Sequence, residues 1–298
     1  MRIVSLLPSA TEILFALGAG EQVVGVTFEC DFPPEARSRR IVSDTTLPPD
    51  LTPAQIDEEV RTRVGAGEDL YTLDKGALRE LGADLVVTQD LCAVCAVDVS
   101  EVDDALEHLG CRARVLTLDP TTLDEVLESI IEVGRATGAP ARAREVVAGL
   151  REQLGRVADL VAGRARPRLA VLEWTDPPYS PGHWIPDLVS AAGAVPVLGD
   201  PGGRSAPIDW ADLEAAGPDL IVVAPCGYGL DDALRLAGDL VSAGVLPPGV
   251  AVWAADANAA FVRPGPRLVD GVEALAAVAH PGVVPPRPDL LAPVAPPR

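Results

Sequence analysis

Short apolar runs alternate with longer segments of helical periodicity along this chain. The apolar, β-branched runs are strand-sized, and they lie at residues 1–7, 23–27, 83–88, 114–118, 168–174, 219–224 and 250–254. Runs without internal alternation are typical of parallel strands that are buried on both faces. Strands that alternate with helices predict an α/β fold.

Three segments outside these runs carry helix signals. Residues 8–17 predict a helix, with Ser9 as its N-cap and Glu12 three positions later, and residues 266–279 predict the closing helix. Residues 71–81 predict a further helix, which leads into the apolar run at 83–88. The same order of strand, polar loop and helix returns in the second half, so each half predicts its own α/β lobe.

A long helical pattern separates the halves. It covers residues 122–163 and breaks at Gly138-Ala139-Pro140. The part from 141 to 162 would be ~33 Å long at the rise of an α-helix. The sequence therefore predicts two Rossmann-like α/β lobes joined by a single long helix, with a ligand cleft between the lobes. We predict an N-terminal lobe at residues 1–120, a connecting segment at 121–164 and a C-terminal lobe at 165–280. Residues 281–298 contain seven prolines and are predicted to be a loose tail.

Composition narrows the class of partner. The chain has 298 residues, 48% of them hydrophobic, and a formal net charge of -20. This charge repels nucleic acid and anionic lipid, and no apolar run reaches the ~20 residues of a membrane span. The opening run at 1–8 is too short for a signal-peptide core. We expect a cytoplasmic protein with a small-molecule or metal-chelate ligand, no nucleic-acid partner and no membrane insertion.

Cysteines follow the predicted strands. Four of the five lie on strand tips, namely Cys30, Cys92, Cys95 and Cys226, whereas Cys111 precedes a strand. Ligand-contacting groups of open α/β sheets lie beyond the carboxyl ends of strands, so four converging thiolates would suit an iron–sulfur cluster or zinc. We favour the cluster, because a site spread over two self-sufficient lobes is unlike a structural zinc site. The alternative is that these are small, buried, apolar residues.

Three segments resemble a known family. They read Ile-Val-Ser-Leu-Leu-Pro-Ser-Ala-Thr-Glu-Ile-Leu from residue 3, Val-Val-Gly-Val-Thr from residue 23, and Gly-Ala-Asp-Leu-Val-Val-Thr-Gln-Asp from residue 82. The chain thereby resembles the vitamin B12 (cobalamin) and iron-chelate binding proteins of ABC importers. The resemblance implies two lobes joined by a helix, with little hinge motion. By position, it implies that the cleft is lined by residues 28–32, 89–95, 174–184, 226–228 and 256–261.

The chain departs from that family in two respects. Importer subunits are secreted or lipid-anchored, and the familiar B12 receptors lack these cysteines. The chain therefore looks closest to a cytoplasmic, cysteine-containing branch described as cobalamin-binding. The departure argues against an ABC importer as partner, although a miscalled start codon would restore that role.

The candidate ligand contacts are polar and aromatic residues on these loops. They are Glu29, Asp31, Gln89, Asp90, Trp174, Tyr179, His183, Trp184, Tyr228, Asp256 and Phe261. The aromatic residues would form a wall for a flat corrin or heme; the alternative is packing beneath the loops. His183 is read as a hydrogen-bonded cleft residue rather than an axial metal ligand. The carboxylates are read as capping or solvated groups rather than acid/base groups.

Two functions remain open from the sequence. The first is a binding protein for a corrinoid or metal chelate, with a four-cysteine metal or iron–sulfur site in the cleft. The second is a cytoplasmic iron–sulfur enzyme or sensor that reuses the solute-binding fold. The sequence contains no Ser-His-Asp ordering, phosphate-binding glycine loop or dinucleotide fingerprint, so binding is favoured over catalysis.

Overall fold

The computed structural model of the chain describes residues 1–89 and 113–295. Backbone contacts divide the chain into two compact units. Unit 1 contains residues 1–120 and 127–148, and unit 2 contains residues 121–126 and 149–298.

Unit 1 is built on a five-stranded parallel sheet. Its strands are β1 (Ile3–Ser5), β2 (Val23–Val26), β3 (Arg40–Ile41), β6 (Leu85–Thr88) and β7 (Arg114–Thr117), in the order β3-β2-β1-β6-β7. A separate antiparallel pair is formed by β4 (Ser43–Thr45) and β5 (Tyr71–Leu73). The α-helices in the described part of unit 1 are α1 (Pro8–Ala16), α2 (Pro53–Ala66), α3 (Lys75–Leu81) and most of α4 (Leu123–Ala136), whose first four residues belong to unit 2. The long helix α5 (Pro140–Val161) contributes residues to both units.

Unit 2 has a sheet of its own. Its strands are β8 (Arg168–Leu172), β11 (Val195–Pro196), β13 (Leu220–Val223), β14 (Ala251–Ala255) and β15 (Leu291–Pro293), in the order β11-β8-β13-β14-β15. Only β15 runs antiparallel to its neighbour. A small antiparallel sheet contains β9 (Trp174–Thr175), β10 (Pro178–Ser180) and β12 (Ala206–Pro207). The helices are α6 (Ile185–Ala191), α7 (Trp210–Ala215), α8 (Leu230–Ala243), α9 (Ala257–Ala260) and α10 (Leu268–Ala279).

Burial on both faces explains the uninterrupted apolar runs. In β13, Ile221 and Val223 belong to one core cluster, whereas Val222 between them belongs to another. Successive side chains of a strand point to opposite faces, so a strand that packs on both sides needs apolar residues throughout. Each of the seven predicted runs contains a strand, which confirms the α/β prediction.

Residues 71–81 differ from their predicted single helix. Tyr71–Leu73 form β5, and the helix begins only at Lys75. Asp74 separates the two elements because its Oδ1 accepts a hydrogen bond from the Ala77 amide at 2.9 Å, which caps α3.

The predicted cap of α1 is also wrong. Helix α1 begins at Pro8 with Leu7 at the N-cap position, and no side chain caps it. Proline supplies the helical φ and has no amide hydrogen to satisfy, so the helix starts before Ser9. Ser9 and Glu12 are buried within the helix.

The proline-rich C-terminal segment is not loose throughout. Residues 291–293 pair with β14, and Leu290 and Leu291 are 6% and 4% exposed. Strand β15 lies at the end of the sheet order, where proline is tolerated because one side of an edge strand has no partner. Across residues 1–89 and 113–295, no helix is both long and apolar enough to cross a membrane.

Candidate functional site

Three loops of unit 2 meet at the carboxyl edge of its sheet. They follow β8, β13 and β14, which are neighbours in the sheet. The Cys226 amide donates to the Glu173 carbonyl at 3.0 Å, and the Asn258 amide donates to the Tyr228 carbonyl at 3.4 Å. Each loop is therefore tied to the next through the main chain.

An aromatic patch, formed by Trp174, Tyr179 and Tyr228, lies on these loops. Trp174 and Tyr179 are direct cross-strand partners of the β9–β10 hairpin, so their side chains share one face. The Trp174 and Tyr228 rings are tilted by 50° with centroids 5.8 Å apart. All three residues are partly buried, so the patch combines packed rings with accessible surface. The structure thus brings together three of the five predicted aromatic residues.

Polar groups accompany the patch. The Trp174 indole N–H donates to the Asp176 carbonyl at 3.2 Å, which fixes the ring. Burial raises the pKa of the Tyr228 phenol; the charge of Asp232 adds to this effect, and that of Arg235 opposes it. The phenol therefore stays neutral at neutral pH and can both donate and accept a hydrogen bond.

His183 occupies a constrained loop of unit 2. Its φ is +51°, a left-handed conformation that is uncommon for residues other than glycine and that often marks a functional loop. Its amide donates to the Gly203 carbonyl at 2.6 Å, and its carbonyl accepts from the Gly202 amide at 3.0 Å. Burial, and secondarily the charge of Arg204, lowers the pKa of the imidazole, so the ring is neutral at neutral pH.

Glu173 was missed by the sequence analysis. Its Oε1 accepts a hydrogen bond from the Gly182 amide at 3.3 Å, next to His183. Its own amide donates to the Tyr179 carbonyl at 3.2 Å. Glu173 therefore links the His183 loop to the aromatic patch. The available signal was a carboxylate near the end of the predicted strand at 168–174.

The other two predicted aromatic residues belong to the core. Trp184 is 7% exposed, and Phe261 is fully buried in the same hydrophobic cluster. The Trp184 indole N–H donates to the Phe261 carbonyl at 2.7 Å. The structure therefore assigns both side chains to packing, which was the alternative considered for them.

Asp256 caps a helix, as the sequence analysis favoured. Its Oδ1 accepts a hydrogen bond from the Ala259 amide at 2.9 Å at the start of α9. Cys226, in the preceding loop, is an exposed free thiol.

The loop after β2 carries three candidate site residues of unit 1, Glu29, Cys30 and Asp31. Cys30 is 2% exposed, and its Sγ lies 3.1 Å from both the Thr11 and the Thr27 hydroxyl oxygens. Glu29 and Asp31 are partly buried, and Asp31 forms an ion pair with Arg37 at 3.9 Å.

Two exposed phenylalanines flank that cysteine. Phe28 and Phe32 are 38% and 41% exposed, and the Phe28 ring centroid lies 6.2 Å from that of Tyr71. They fall within the loop implied by the family resemblance, but they were not chosen as candidates. Gln89 is 7% exposed, and Asp90, Cys92 and Cys95 lie outside the described residues.

Of the four cysteines in the predicted metal site, the structure describes two, Cys30 and Cys226. Cys30 belongs to unit 1 and Cys226 to unit 2. Within residues 1–89 and 113–295, no group of three or more His, Cys, Asp or Glu residues is arranged to hold a metal ion.

Two proteins with similar sequences are named as binding proteins. Over 155 residues, the chain is 28% identical to an uncharacterized ABC transporter substrate-binding lipoprotein, YvrC, of Bacillus subtilis (strain 168). The aligned region covers 51% of this chain and 39% of that protein. Over 214 residues, it is 23% identical to the vitamin B12-binding protein of Pectobacterium carotovorum subsp. carotovorum (strain PC1), covering 70% and 64%. The chain thus matches less than two thirds of the length of these relatives.

A solved structure shows the same fold. A periplasmic heme binding protein from Pseudomonas aeruginosa superposes with a TM-score of 0.72 at 22% identity, covering 99% of this chain and 98% of that one. This likeness confirms the predicted two-lobed α/β fold. Residues 86–243, more than half of the chain, match the family described as periplasmic binding protein. The chain belongs to the periplasmic binding protein family.

Proposed function

We propose that this protein binds a flat metal chelate of the corrin or heme type, and that the aromatic patch contacts the face of the macrocycle. The observation that carries the proposal is the arrangement of Trp174, Tyr179 and Tyr228 at the carboxyl edge of the sheet. The ligand class is supported by a relative named for vitamin B12 and a structural neighbour named for heme.

The chemistry of the patch suits such a ligand. Large conjugated rings pack well against aromatic side chains, while a few polar groups fix orientation. The Tyr228 hydroxyl supplies one polar group, and the loop that holds His183 is tied through Glu173 to the patch. A neutral imidazole can donate a hydrogen bond or coordinate iron or cobalt.

Tryptophan fluorescence tests the proposal. Purified protein is titrated with cyanocobalamin and, separately, with hemin, and the quenching gives Kd. We expect Trp174→Phe to bind with a similar Kd but with reduced quenching, because the ring is kept and the fluorophore is lost. Trp174→Ala should raise Kd by about tenfold, since an aromatic contact contributes about 0.5–1.5 kcal/mol beyond the area it buries.

A matched control lies on the same unit. Trp210 begins α7 and packs against the core cluster of Ala170 and Ile221. Trp210→Phe should change neither Kd nor the ligand-dependent part of the quenching. If wild-type protein binds neither ligand, or if Trp174→Ala binds as tightly as wild type, the proposed site is wrong.

A delivery partner is part of the same proposal. The Bacillus relative is named as a substrate-binding lipoprotein of an ABC transporter, so an ABC importer is the candidate partner. The sequence-based expectation of a cytoplasmic protein opposes this role, and the compartment stays a prediction. Fractionation of the native cells decides between the two, because only protein found in the envelope fraction could serve an importer.

The iron–sulfur or zinc centre also stays a prediction, as does an enzyme or sensor role built on it. Its support is the exposed thiol of Cys226 at the edge of the unit 2 sheet. Anaerobically purified protein should contain iron or zinc, and Cys226→Ser should lose it, whereas Cys111→Ser should keep it. Equal metal content in wild type and Cys226→Ser would remove Cys226 from the site.

A further inference from the structure

We infer that Arg287 is a positioning residue for the aromatic patch. It anchors the C-terminal segment that leads into β15, and main-chain hydrogen bonds connect this segment through α9 to the loop that carries Tyr228. That the patch is a ligand site rests on the proposed function. The anchoring itself is a property of unit 2 and can be measured without a ligand.

Arg287 is the centre of a charge network. Its guanidinium bonds both carboxylate oxygens of Asp289, with Nη2 to Oδ2 at 2.9 Å and Nε to Oδ1 at 3.1 Å. Its Nη1 lies 3.3 Å from Asp270 Oδ1 and 3.6 Å from Glu273 Oε2, both on α10. The network thus fastens the C-terminal segment to the last helix.

The long helix takes part in the same network. Gln153 of α5 donates from Nε2 to Glu273 Oε1 at 3.0 Å and to Asp270 Oδ1 at 3.5 Å. The Arg287 side chain is 29% exposed, and those of Asp270 and Glu273 are 33% and 25% exposed. A network of partly buried charges contributes more than an isolated surface pair. A planar guanidinium can bond several carboxylates at once, which a lysine cannot reproduce.

Main-chain bonds carry this anchoring to the site. The Arg287 carbonyl accepts from the Leu290 and Leu291 amides, each at 2.9 Å, and thereby turns the chain into β15. The Leu290 carbonyl then accepts from the Asp256 amide at 2.8 Å. The strand anchored by Arg287 therefore holds the residue that caps α9.

Helix α9 completes the connection. Its Asn258 amide donates to the Tyr228 carbonyl, and the Tyr228 ring packs on Trp174. The other end of α9 packs closely against α10. Gly271 lies so near the Ala260 carbonyl oxygen that an added Cβ would clash with it, so this end of α9 has little room to move. With a four-residue helix held at both ends, a shift of β15 is transmitted to the Tyr228 loop.

Hydrogen–deuterium exchange of the ligand-free protein tests this directly. In Arg287→Met, the Asp256 and Asn258 amides should exchange about tenfold faster, because local opening becomes easier. The amides of β8 and β13 should be unchanged. Arg287→Lys should restore part of the protection. Arg156→Met is the control, since the ion pair of Arg156 in the described part of the chain is with Glu152 of its own helix, α5.

A binding measurement separates positioning from simple anchoring. Arg287→Met should raise the Kd for cyanocobalamin or hemin about threefold to tenfold, and Arg156→Met should not. Faster exchange at Asp256 with unchanged exchange at Asn258, or with an unchanged Kd, would show that Arg287 fastens β15 without positioning the patch. Unchanged exchange at both amides would overturn the inference. If the wild type binds neither ligand, the proposed function fails, and the Asn258 exchange alone decides the role of Arg287.

Discussion

Among the described residues, the carboxyl edge of the unit 1 sheet buries Cys30, whereas that of the unit 2 sheet exposes Cys226. Cys30 is 2% exposed under the hydroxyls of Thr11 and Thr27, and Cys226 is exposed in the loop after β13. Both residues follow a parallel strand, so their sequence environments look alike. A residue that directly follows a strand therefore lies at the edge of the sheet, but the neighbouring helix and loop decide whether solvent reaches its side chain.

The aromatic residues of the two edges differ in a related way. The Trp174–Tyr228 pair carries the Tyr228 phenol beside an indole whose N–H is bonded to the Asp176 carbonyl, whereas Phe28 and Phe32 carry no polar group. The unit 2 edge can therefore orient a ligand by hydrogen bonds as well as by ring contact. The described part of the unit 1 loop offers apolar surface and the carboxylates of Glu29 and Asp31.

The largest expected difference between the edges is thiol reactivity. In metal-free native protein, maleimide should label Cys226 on the order of a thousandfold faster than Cys30, because Cys30 reacts only after an opening that costs several kcal/mol. Mass spectrometry of the digested protein measures the two peptides separately, so the remaining cysteines do not interfere. In urea, the two rates should converge. Equal rates in native buffer would contradict the burial of Cys30.

Glycine substitutions provide the next largest contrast. Gly271→Ala should lower the free energy of unfolding by about 1–3 kcal/mol, because its Cβ meets a backbone oxygen of α9 that cannot move alone. Gly25→Ala in β2 should cost less, since its Cβ meets side-chain methyl groups of Leu81, Val42 and Val4 at 2.8, 3.0 and 3.2 Å, and the nearest of these is the far end of Leu81 and not a backbone atom. Urea denaturation measures both variants. A larger loss for Gly25→Ala would mean that the unit 1 sheet is the more tightly packed region.

The fold was predictable where burial on both faces leaves a clear pattern. The runs that became β6 and β13 consist of apolar and β-branched residues, and both were recognised. The strand Tyr71–Leu73 was not recognised, because its three residues have no periodicity of their own and depend on a partner strand. The C-terminal strand was missed because its prolines predict a loop, although an edge strand tolerates them.

The candidate site was predictable by position but not by environment. Trp174 ends one predicted strand and Phe261 lies in the segment after another, yet Trp174 belongs to the partly exposed patch and Phe261 is fully buried. Sequence position does not contain the register that pairs Trp174 with Tyr179, nor the packing that encloses Phe261. Glu173 was overlooked because its role depends on a contact with Gly182, across the hairpin turn.

Cysteine replacement should affect stability at one edge only. Cys30→Ala should lower the free energy of unfolding by about 1–2 kcal/mol, because it leaves a small cavity and removes a partner of two buried hydroxyls. Cys226→Ala should stay within about 0.5 kcal/mol of wild type when both proteins are metal-free, as is usual at exposed positions. Both are measured by urea denaturation under reducing conditions. A loss at Cys226 equal to that at Cys30 would show that the exposed thiol has a structural partner.

The smallest expected effect is a pH dependence that belongs to unit 2. Burial lowers the pKa of His183 below its ordinary value of about 6.5, so the unfolded chain takes up a proton more readily than the folded one. Between the lowered pKa and about 6.5, the unfolded state binds more protons, and the free energy of unfolding therefore rises with pH. Above that range, the ring is neutral in both states, and its contribution is constant.

The variant His183→Asn isolates this contribution. Urea denaturation from pH 5 to 8 measures the free energy of unfolding of wild type and variant. The difference between them should be constant above about pH 6.5, and below it wild type should lose stability relative to the variant as the pH falls. The effect is small because the ring is only partly buried and solvent screens its charge. Arg204 contributes to the same shift, so Arg204→Gln should weaken the dependence without removing it. A difference that instead favours wild type at low pH would mean that the protonated ring gains a partner, and the neutral imidazole assigned to this loop would be wrong.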